Sequence, residues 1–174
     1  FTTSAPPTAT SFDPVSGSEL TSATGNLAIT FSENIELGSS GAIRIKYEAD
    51  NTNFQSITFE DTENISITDD VLTISHQEFP PSENFYILMD AGFVRSTASG
   101  VAFPGIQETN TWTFTSPAGP AISSYDPANN SSDIPVDAQL VLTFDQSIAR
   151  GSGNMVIHYQ DDGGDAVIVS ATSE

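Results

Sequence analysis

Side chains able to do chemistry are sparse in this sequence and mostly of one sign. Of 174 residues, 23 are Asp or Glu, against four Lys or Arg, two His and no Cys. Disulfide scaffolds, thiol catalysis and thiolate metal sites are thereby excluded. Catalysis by a nucleophile and a base needs both groups held together at a pocket, and only His76 and His158 offer an imidazole. His158 falls on the outward side of an alternating strand, and His76 follows the end of one, so both are expected at the surface. Neither a nucleophile elbow nor a His-Glu-x-x-His zinc helix occurs. Gly151-Ser152-Gly153-Asn154 has the outline of a phosphate loop, but no Lys follows it and it lies between two strands. No catalytic residue is assigned, and the chain is read as non-enzymatic.

Carboxylates are the remaining candidates, and calcium is the ion they would hold, because it takes about six to eight hard oxygen ligands. The densest group is Asp161-Asp162-Gly163-Gly164-Asp165, with Asp50, Asn51 and Asn53 at the matching turn earlier in the chain. Asp126, Asp133 and Asp137 form a second set, with Asp13 and Glu19 as approximate counterparts. Carboxylates gathered at a junction repel one another unless a cation bridges them. A plainer reading competes for both sets: Asp, Asn and Gly tolerate left-handed backbone and start turns, and the spacing is not that of an EF-hand. Asp161, Asp162, Asp165, Asp126, Asp133 and Asp137 therefore stand as calcium candidates against a turn reading. No other cofactor is implied.

The elements that would position these groups are strands. Alternation of period two dominates: Leu27, Ile29 and Phe31 point one way, Ala28 and Thr30 the other, and Ile43, Ile45 and Tyr47 alternate with Arg44 and Lys46. Further strands are predicted at Thr8–Phe12, Gln55–Phe59, Asn64–Thr68, Val71–Ser75, Phe85–Met89 and Thr111–Thr115. Turn chemistry separates them at Asp13-Pro14, Gly38–Gly41, Asp50–Asn53, Asp69-Asp70 and Pro80-Pro81. One short helical turn is expected around Asp90–Val94. Seven or eight short strands without an amphipathic helix predict a sandwich of two antiparallel sheets. Trp112, Phe114 and Tyr47 are the aromatics from which a sugar platform would be built, but their alternation on sandwich strands places them in the core.

The chain also repeats itself. Phe12-Asp13-Pro14 returns as Tyr125-Asp126-Pro127, and the same shift of 113 carries Leu27–Phe31 onto Leu140–Phe144, Ile35 onto Ile148 and Gly38-Ser39 onto Gly151-Ser152. After a one-residue gap Gly41 meets Gly153, Ile45 meets Ile157 and Tyr47 meets Tyr159. Roughly a third of the aligned positions are identical, the signature of a tandem repeat. The register predicts that residues 1–5 are the tail and linker of a preceding repeat, 6–118 a complete repeat and 119–174 the first half of a second, truncated copy. Half a sandwich cannot bury both its faces alone, so intermolecular completion by a neighbouring molecule, an exchanged strand or a further fragment is expected.

Phe12-Asp13-Pro14, Leu27-Ala28-Ile29-Thr30-Phe31-Ser32-Glu33, Met89-Asp90-Ala91-Gly92-Phe93, Ala102-Phe103-Pro104-Gly105-Ile106 and Thr111-Trp112-Thr113-Phe114-Thr115 together resemble the bacterial Ig-like domain of the S-layer and large-adhesin type. The resemblance covers the first repeat and the front of the second. It departs at Arg95–Gly100, which reads Arg-Ser-Thr-Ala-Ser-Gly where family members often have an Asp-Leu-Ala-Gly-Asn-like stretch. What it implies is an all-β, Ig-like antiparallel β-sandwich in tandem repeat, exported to the bacterial surface or secreted, and no enzymatic activity.

Charge limits the partners. At a net charge of -19 the chain lacks the positive surface that a phosphate backbone needs, and anionic membranes are disfavoured for the same reason. No apolar run approaches the roughly 20 residues that span a bilayer. The leading expectation is a structural spacer whose neighbours are other repeats of the same protein, with calcium as a candidate stiffener. Two alternatives stand beside it. One is an adhesive module taking a glycan or protein ligand through sandwich-end loops such as Asp90–Ile106; the other is an accessory domain of an exported enzyme.

Overall fold

The computed structural model describes residues 4–158 and 165–170. The chain divides into two compact units, Phe1–Gly119 and Pro120–Glu174, and each is taken by itself. The described residues form strands, turns and irregular segments without a helix.

In unit 1 two sheets face each other. The first has the order β1 (Ala9–Asp13), β3 (Leu27–Phe31), β8 (Val71–Ile74), β7 (Ile65–Thr68); the second runs β2 (Ser18–Glu19), β11 (Thr113–Thr115), β9 (Asn84–Met89), β5 (Ala42–Tyr47), β6 (Asn53–Thr58). Every pairing is antiparallel except that of β2 with β11, which is parallel. A short pair, β4 (Ile35–Leu37) with β10 (Val94–Ser96), joins them at one side. The expected antiparallel sandwich is thus the observed one.

Alternation decides which side chains meet between the sheets. Leu27, Ile29 and Phe31 of β3, Ile43 and Ile45 of β5, and Phe85, Ile87 and Met89 of β9 are buried, as successive strand residues point to opposite faces. Aromatic rings fill one end: Phe79 packs with its centroid 5.0 Å from Phe54, 4.6 Å from Phe85 and 5.3 Å from Phe114. Trp112 is fully buried, stacked 5.0 Å from Phe12, and its indole Nε1–H donates to the Pro14 carbonyl oxygen at 2.9 Å. Trp112 and Phe114 are therefore core residues. Tyr47 is half-buried, its ring against Phe54 and Phe85.

The segment after β9 adds detail to the sequence reading. The helical turn expected at Asp90–Val94 is a single turn closed by the Phe93 N–H donating to the Asp90 carbonyl at 3.3 Å. The following segment is tied into the sandwich by β10 and by bridges from Met89 to Ile106 and Arg95 to Ala102. Gly38 meets the backbone of that turn so closely that a Cβ there would run into the Gly92 carbonyl oxygen, so only glycine fits.

Unit 2 rebuilds the first part of this plan. β12 (Ile122–Asp126) pairs with β13 (Val141–Phe144), and β14 (Asn154–His158) with β15 (Asp165–Ser170), all antiparallel. The β1–β3 ladder slips between Ala9 and Ser11, and the β12–β13 ladder slips at the equivalent Ile122 and Ser124. The β5–β6 ladder slips between Ile45 and Lys46, and β14–β15 between the equivalent Ile157 and His158. Side-chain links repeat as well: Thr10 Oγ1 donates to the Thr30 carbonyl at 3.0 Å, and Ser123 Oγ to the Thr143 carbonyl at 3.1 Å. The Thr8 N–H reaches Ser32 Oγ at 3.1 Å, and the Ala121 N–H reaches Asp145 Oδ1 at 2.9 Å.

Candidate functional site

The acidic turns are the chemical candidates, and in the β5–β6 turn the geometry gives side-chain oxygens local work. In the β5–β6 turn, Asp50 Oδ1 accepts from the Thr52 backbone N–H at 2.9 Å and from Thr52 Oγ1 at 2.8 Å. Those two bonds hold the Asp50 carboxyl below its usual range. Asn51 sits at φ 60, and its Oδ1 accepts the Tyr86 hydroxyl at 2.9 Å. The Asp-Asn-Thr-Asn sequence has therefore built a self-capped turn of the kind these residues favour. Of the matching group in the second unit, Asp161 and Asp162 lie outside the described residues. Asp165 enters β15, with its backbone paired to His158.

The second candidate set is spread along unit 2. Asp126 ends β12 opposite Val141, Asp133 adopts φ 57, and Asp137 lies in the turn in which the Ala138 N–H donates to the Pro135 carbonyl at 3.0 Å. Among the described residues no group of three or more His, Cys, Asp or Glu side chains stands where a metal ion would be held. Asp126, Asp133 and Asp137 are not brought together into one.

Charged pairs in unit 1 serve the fold. Arg44 donates through both terminal nitrogens to Asp90, at 2.6 and 2.9 Å, and Asp90 also accepts the Ala42 N–H at 3.0 Å. This fork lowers the Asp90 carboxyl, its hydrogen bonds to Arg44 being the main cause. Arg95 donates to Glu36 at 2.8 Å across the β4–β10 pair. Ser96, fully buried, donates to the Glu33 carboxylate and accepts the Ser99 N–H at 3.1 Å, which fastens the Arg95–Gly100 loop to the end of β3.

His76 does not match the surface expectation. It is half-buried, its ring 4.1 Å from Phe79, with the carbonyl oxygens of Gln77 and Gly25 each 2.6 Å from a ring nitrogen. Gly25 lies 51 residues away in sequence, so no local pattern announced the contact. His158 is exposed at the end of β14.

Concave surfaces are found in both units among the described residues. In unit 1 a groove of about 360 Å³ is lined by Ile35, Leu37, Ile65 and Ile67, and another of about 370 Å³ by Tyr47, Asp50, Thr52, Pro80 and Glu83. The second combines an aromatic and a prolyl ring with two carboxylates at one end of the sandwich. In unit 2 a groove of about 360 Å³ is mostly apolar, lined by Tyr125, Pro127, Leu140, Leu142 and Met155 among others. It was not foreseen, because a strand's alternation gives its inward face without giving what covers that face.

Comparison with known proteins agrees with the repeat. A family model described as a bacterial Ig-like domain matches residues 3–116 and again residues 117–174. No curated protein matches the chain. Among solved structures, the crystal structure of CopC from Methylosinus trichosporium OB3b is similar at 11% sequence identity and a TM-score of 0.46, over 64% of this chain and 94% of that one.

Proposed function

The chain belongs to the bacterial Ig-like domain family, and from that premise we propose that it is a non-catalytic spacer module of a secreted or surface-anchored bacterial protein of the adhesin or S-layer type. Domains of this family occur in extracellular and surface proteins of bacteria. No helix among the described residues is long and apolar enough to cross a membrane.

The observation that carries the proposal is structural repetition. Two units share ladder slips, hydrogen-bonded ends and register, residue for residue, while their exposed positions differ. Lys46 of one corresponds to His158 of the other, and Arg44 to Val156. A scaffold kept while its surface changes suits a repeating support better than a binding site, which needs particular exposed groups at particular places. The exit from unit 1 is also well anchored. Ser116 Oγ donates to the Pro80 carbonyl at 2.6 Å, and the Ser82 N–H donates to the Pro117 carbonyl at 3.1 Å. Pro117 and Pro120 then restrict the backbone of the segment between the units.

The adhesive reading has one observation in its favour, the groove of Tyr47, Pro80, Asp50 and Glu83, whose rings and carboxylates suit a hydroxyl-rich ligand. A glycan array probed with the whole chain at high concentration separates the two. The spacer proposal expects no saturable binding. Saturable binding abolished by Asp50→Ala with Glu83→Ala replaces it with an adhesive module.

A further inference from the structure

We infer that the β7 edge of unit 1 is a strand-addition site, and that its occupant is an extended segment of another protein, with alternating aliphatic residues between cationic ends. The site is lateral, so the inference goes beyond the spacer reading and stands apart from it.

The sheet edges differ in how well they could take a further strand. β1, β7, β2 and β6 are the outer strands of the two sheets. The β1 and β6 ladders are each broken by a slip, and β2 is two residues long. Slips and short strands are devices that blunt an edge. β7 pairs with β8 without a slip, reads Ile65-Ser66-Ile67-Thr68, and carries neither a charge nor a proline.

Register decides which backbone groups face outward. The Ser75 N–H donates to the Asn64 carbonyl at 2.9 Å, which makes Ser66–Thr73 and Thr68–Val71 the next hydrogen-bonded pairs of the ladder. The amide and carbonyl of Ile65 and of Ile67 therefore point away from β8. Opposite them lies β4. Its ladder with β10 is bounded by the Gly38 N–H to Phe93 carbonyl bond at 2.8 Å and the Thr97 N–H to Asn34 carbonyl bond at 3.0 Å. By the same alternation Ile35 and Leu37 turn their amides and carbonyls away from β10. The Ile35 N–H reaches the Asp69 carbonyl at 3.0 Å and ties the two edges together at one end. Beyond that tie no backbone hydrogen bond joins β4 to β7 among the described residues.

Between these edges lies the groove of about 360 Å³, lined by Ile35, Leu37, Ile65 and Ile67 with Glu36 and Thr62. Leu37, Ile65 and Ile67 are half-buried there, while Ser66 and Thr68 are exposed on the other face of β7. An added strand would pair its backbone with Ile65 and Ile67 and set every second side chain, if aliphatic, into the groove. That is recognition by strand addition, with main-chain bonds for affinity and alternate pockets for specificity.

Charge selects the occupant. Glu60, Asp61 and Glu63 precede β7, and Asp69 and Asp70 follow it. Glu60, Glu63 and Asp69 are exposed, and Arg95 is already paired with Glu36. Cationic residues at both ends of an added strand meet carboxylates at both ends of β7. A second copy of the chain, at -19, would bring like charges together instead.

The test uses the whole chain at physiological salt, with the peptide Lys-Lys-Val-Thr-Val-Thr-Val-Lys-Lys, capped at both ends and labelled for fluorescence anisotropy. Saturable binding is expected, with amide hydrogen exchange slowed at Ile65 and Ile67, whose N–H groups face outward, and little changed at Ser66 and Thr68, which β8 already holds. Replacing every Lys of the peptide by Glu, or its central Val by Pro, is expected to weaken binding about tenfold or more. In the chain, Ile67→Pro removes an outward N–H without taking a bond from the β8 ladder, and is expected to abolish binding. Glu63→Gln with Asp69→Asn changes exposed groups only, and Asn tolerates the φ of 55 at Asp69. This double variant is expected to weaken binding several-fold with unit 1 melting unchanged. No saturable binding, equal binding of the Glu or Pro peptide, or binding that leaves Ile65 and Ile67 exchange as it was overturns the inference. So does self-association of the chain alone that protects those two amides, because the occupant is then a second copy.

Discussion

Leu27 and Leu140 stand at the same place in the repeat, one opening β3 and the other directly before β13, and lie in opposite environments: one wholly buried, the other more than half exposed. The two units thereby separate two stages that a finished sandwich merges. The β1–β3 and β5–β6 ladders, with their slips and hydrogen-bonded ends, are formed in both, because they depend only on neighbouring strands and on short side-chain links. Burial differs: in unit 1 β8 and β9 flank the inward face, whereas among the described residues of unit 2 Leu140 and Leu142 are exposed. Hydrophobic stabilisation scales with the apolar area removed from water, roughly 25 cal/mol per Å², so stability should be concentrated in unit 1.

The largest expected contrast is between Trp112→Ala and Tyr125→Ala. Trp112 is buried and satisfies the Pro14 carbonyl, so its truncation should cost unit 1 about 3–5 kcal/mol in denaturant unfolding. Tyr125, which stands where the Trp112 stacking partner Phe12 stands, is 52% exposed, and its truncation should cost about 0.5 kcal/mol or less. Equal losses would erase the distinction between the units.

Next comes a matched pair of glycines. Gly38→Ala drives a methyl into the Gly92 carbonyl and should destabilise unit 1 by about 1–3 kcal/mol, as overpacking does. Gly151→Ala meets open space and should leave the second unit's hydrogen exchange as it was. A comparable loss at Gly151 would erase the contrast between the two glycines.

A smaller effect belongs to Asp90. Its folded carboxyl is held below the usual range by Arg44, so its contribution is present above about pH 4, the unfolded value, and disappears as pH falls through the lower folded one. Both side chains are more than a third exposed, which limits the pair to about 0.2–1 kcal/mol. Asp90→Asn should remove that part of the acid dependence of unit 1 melting, and unit 2, where Val156 replaces Arg44, should not respond.

The smallest expected effect is that of calcium. Because Asp50 spends its oxygen on Thr52, unit 1 should melt at the same temperature in EDTA and in millimolar calcium. A rise of several degrees with calcium and not with magnesium would restore the acidic turns as ion sites.

Much of this was legible in the sequence. The shift of Phe12-Asp13-Pro14 onto Tyr125-Asp126-Pro127 gave the repeat, and the alternation of Leu27, Ile29 and Phe31 gave the inward face. Three of the short strands, β2, β4 and β10, were not legible. A run such as Ile35–Leu37 is too short to show a period, and it is defined by a partner at Val94–Ser96. His76 was misjudged because its partner carbonyl on Gly25 is distant in sequence. The acidic turn at Asp50 was readable as a turn from its residue types alone. The exposure of Leu140 and Leu142 was not, since the same alternation serves a covered face and an uncovered one.

The parallel pairing of β2 with β11 carries a consequence of another kind. Phe114 lies opposite Ser18 and Thr115 opposite Glu19, flanked by the Gly17 N–H to Thr113 carbonyl bond at 2.7 Å and the Leu20 N–H to Thr115 carbonyl bond at 2.8 Å. β2 is near the start of unit 1 and β11 near its end. A pull on the two ends therefore draws these parallel strands past each other in opposite directions, and loads their hydrogen bonds together in shear. Antiparallel strands pulled from one end would open one bond at a time, as a zipper does. Two residues of parallel strand thus place unit 1 under tension in its resistant direction.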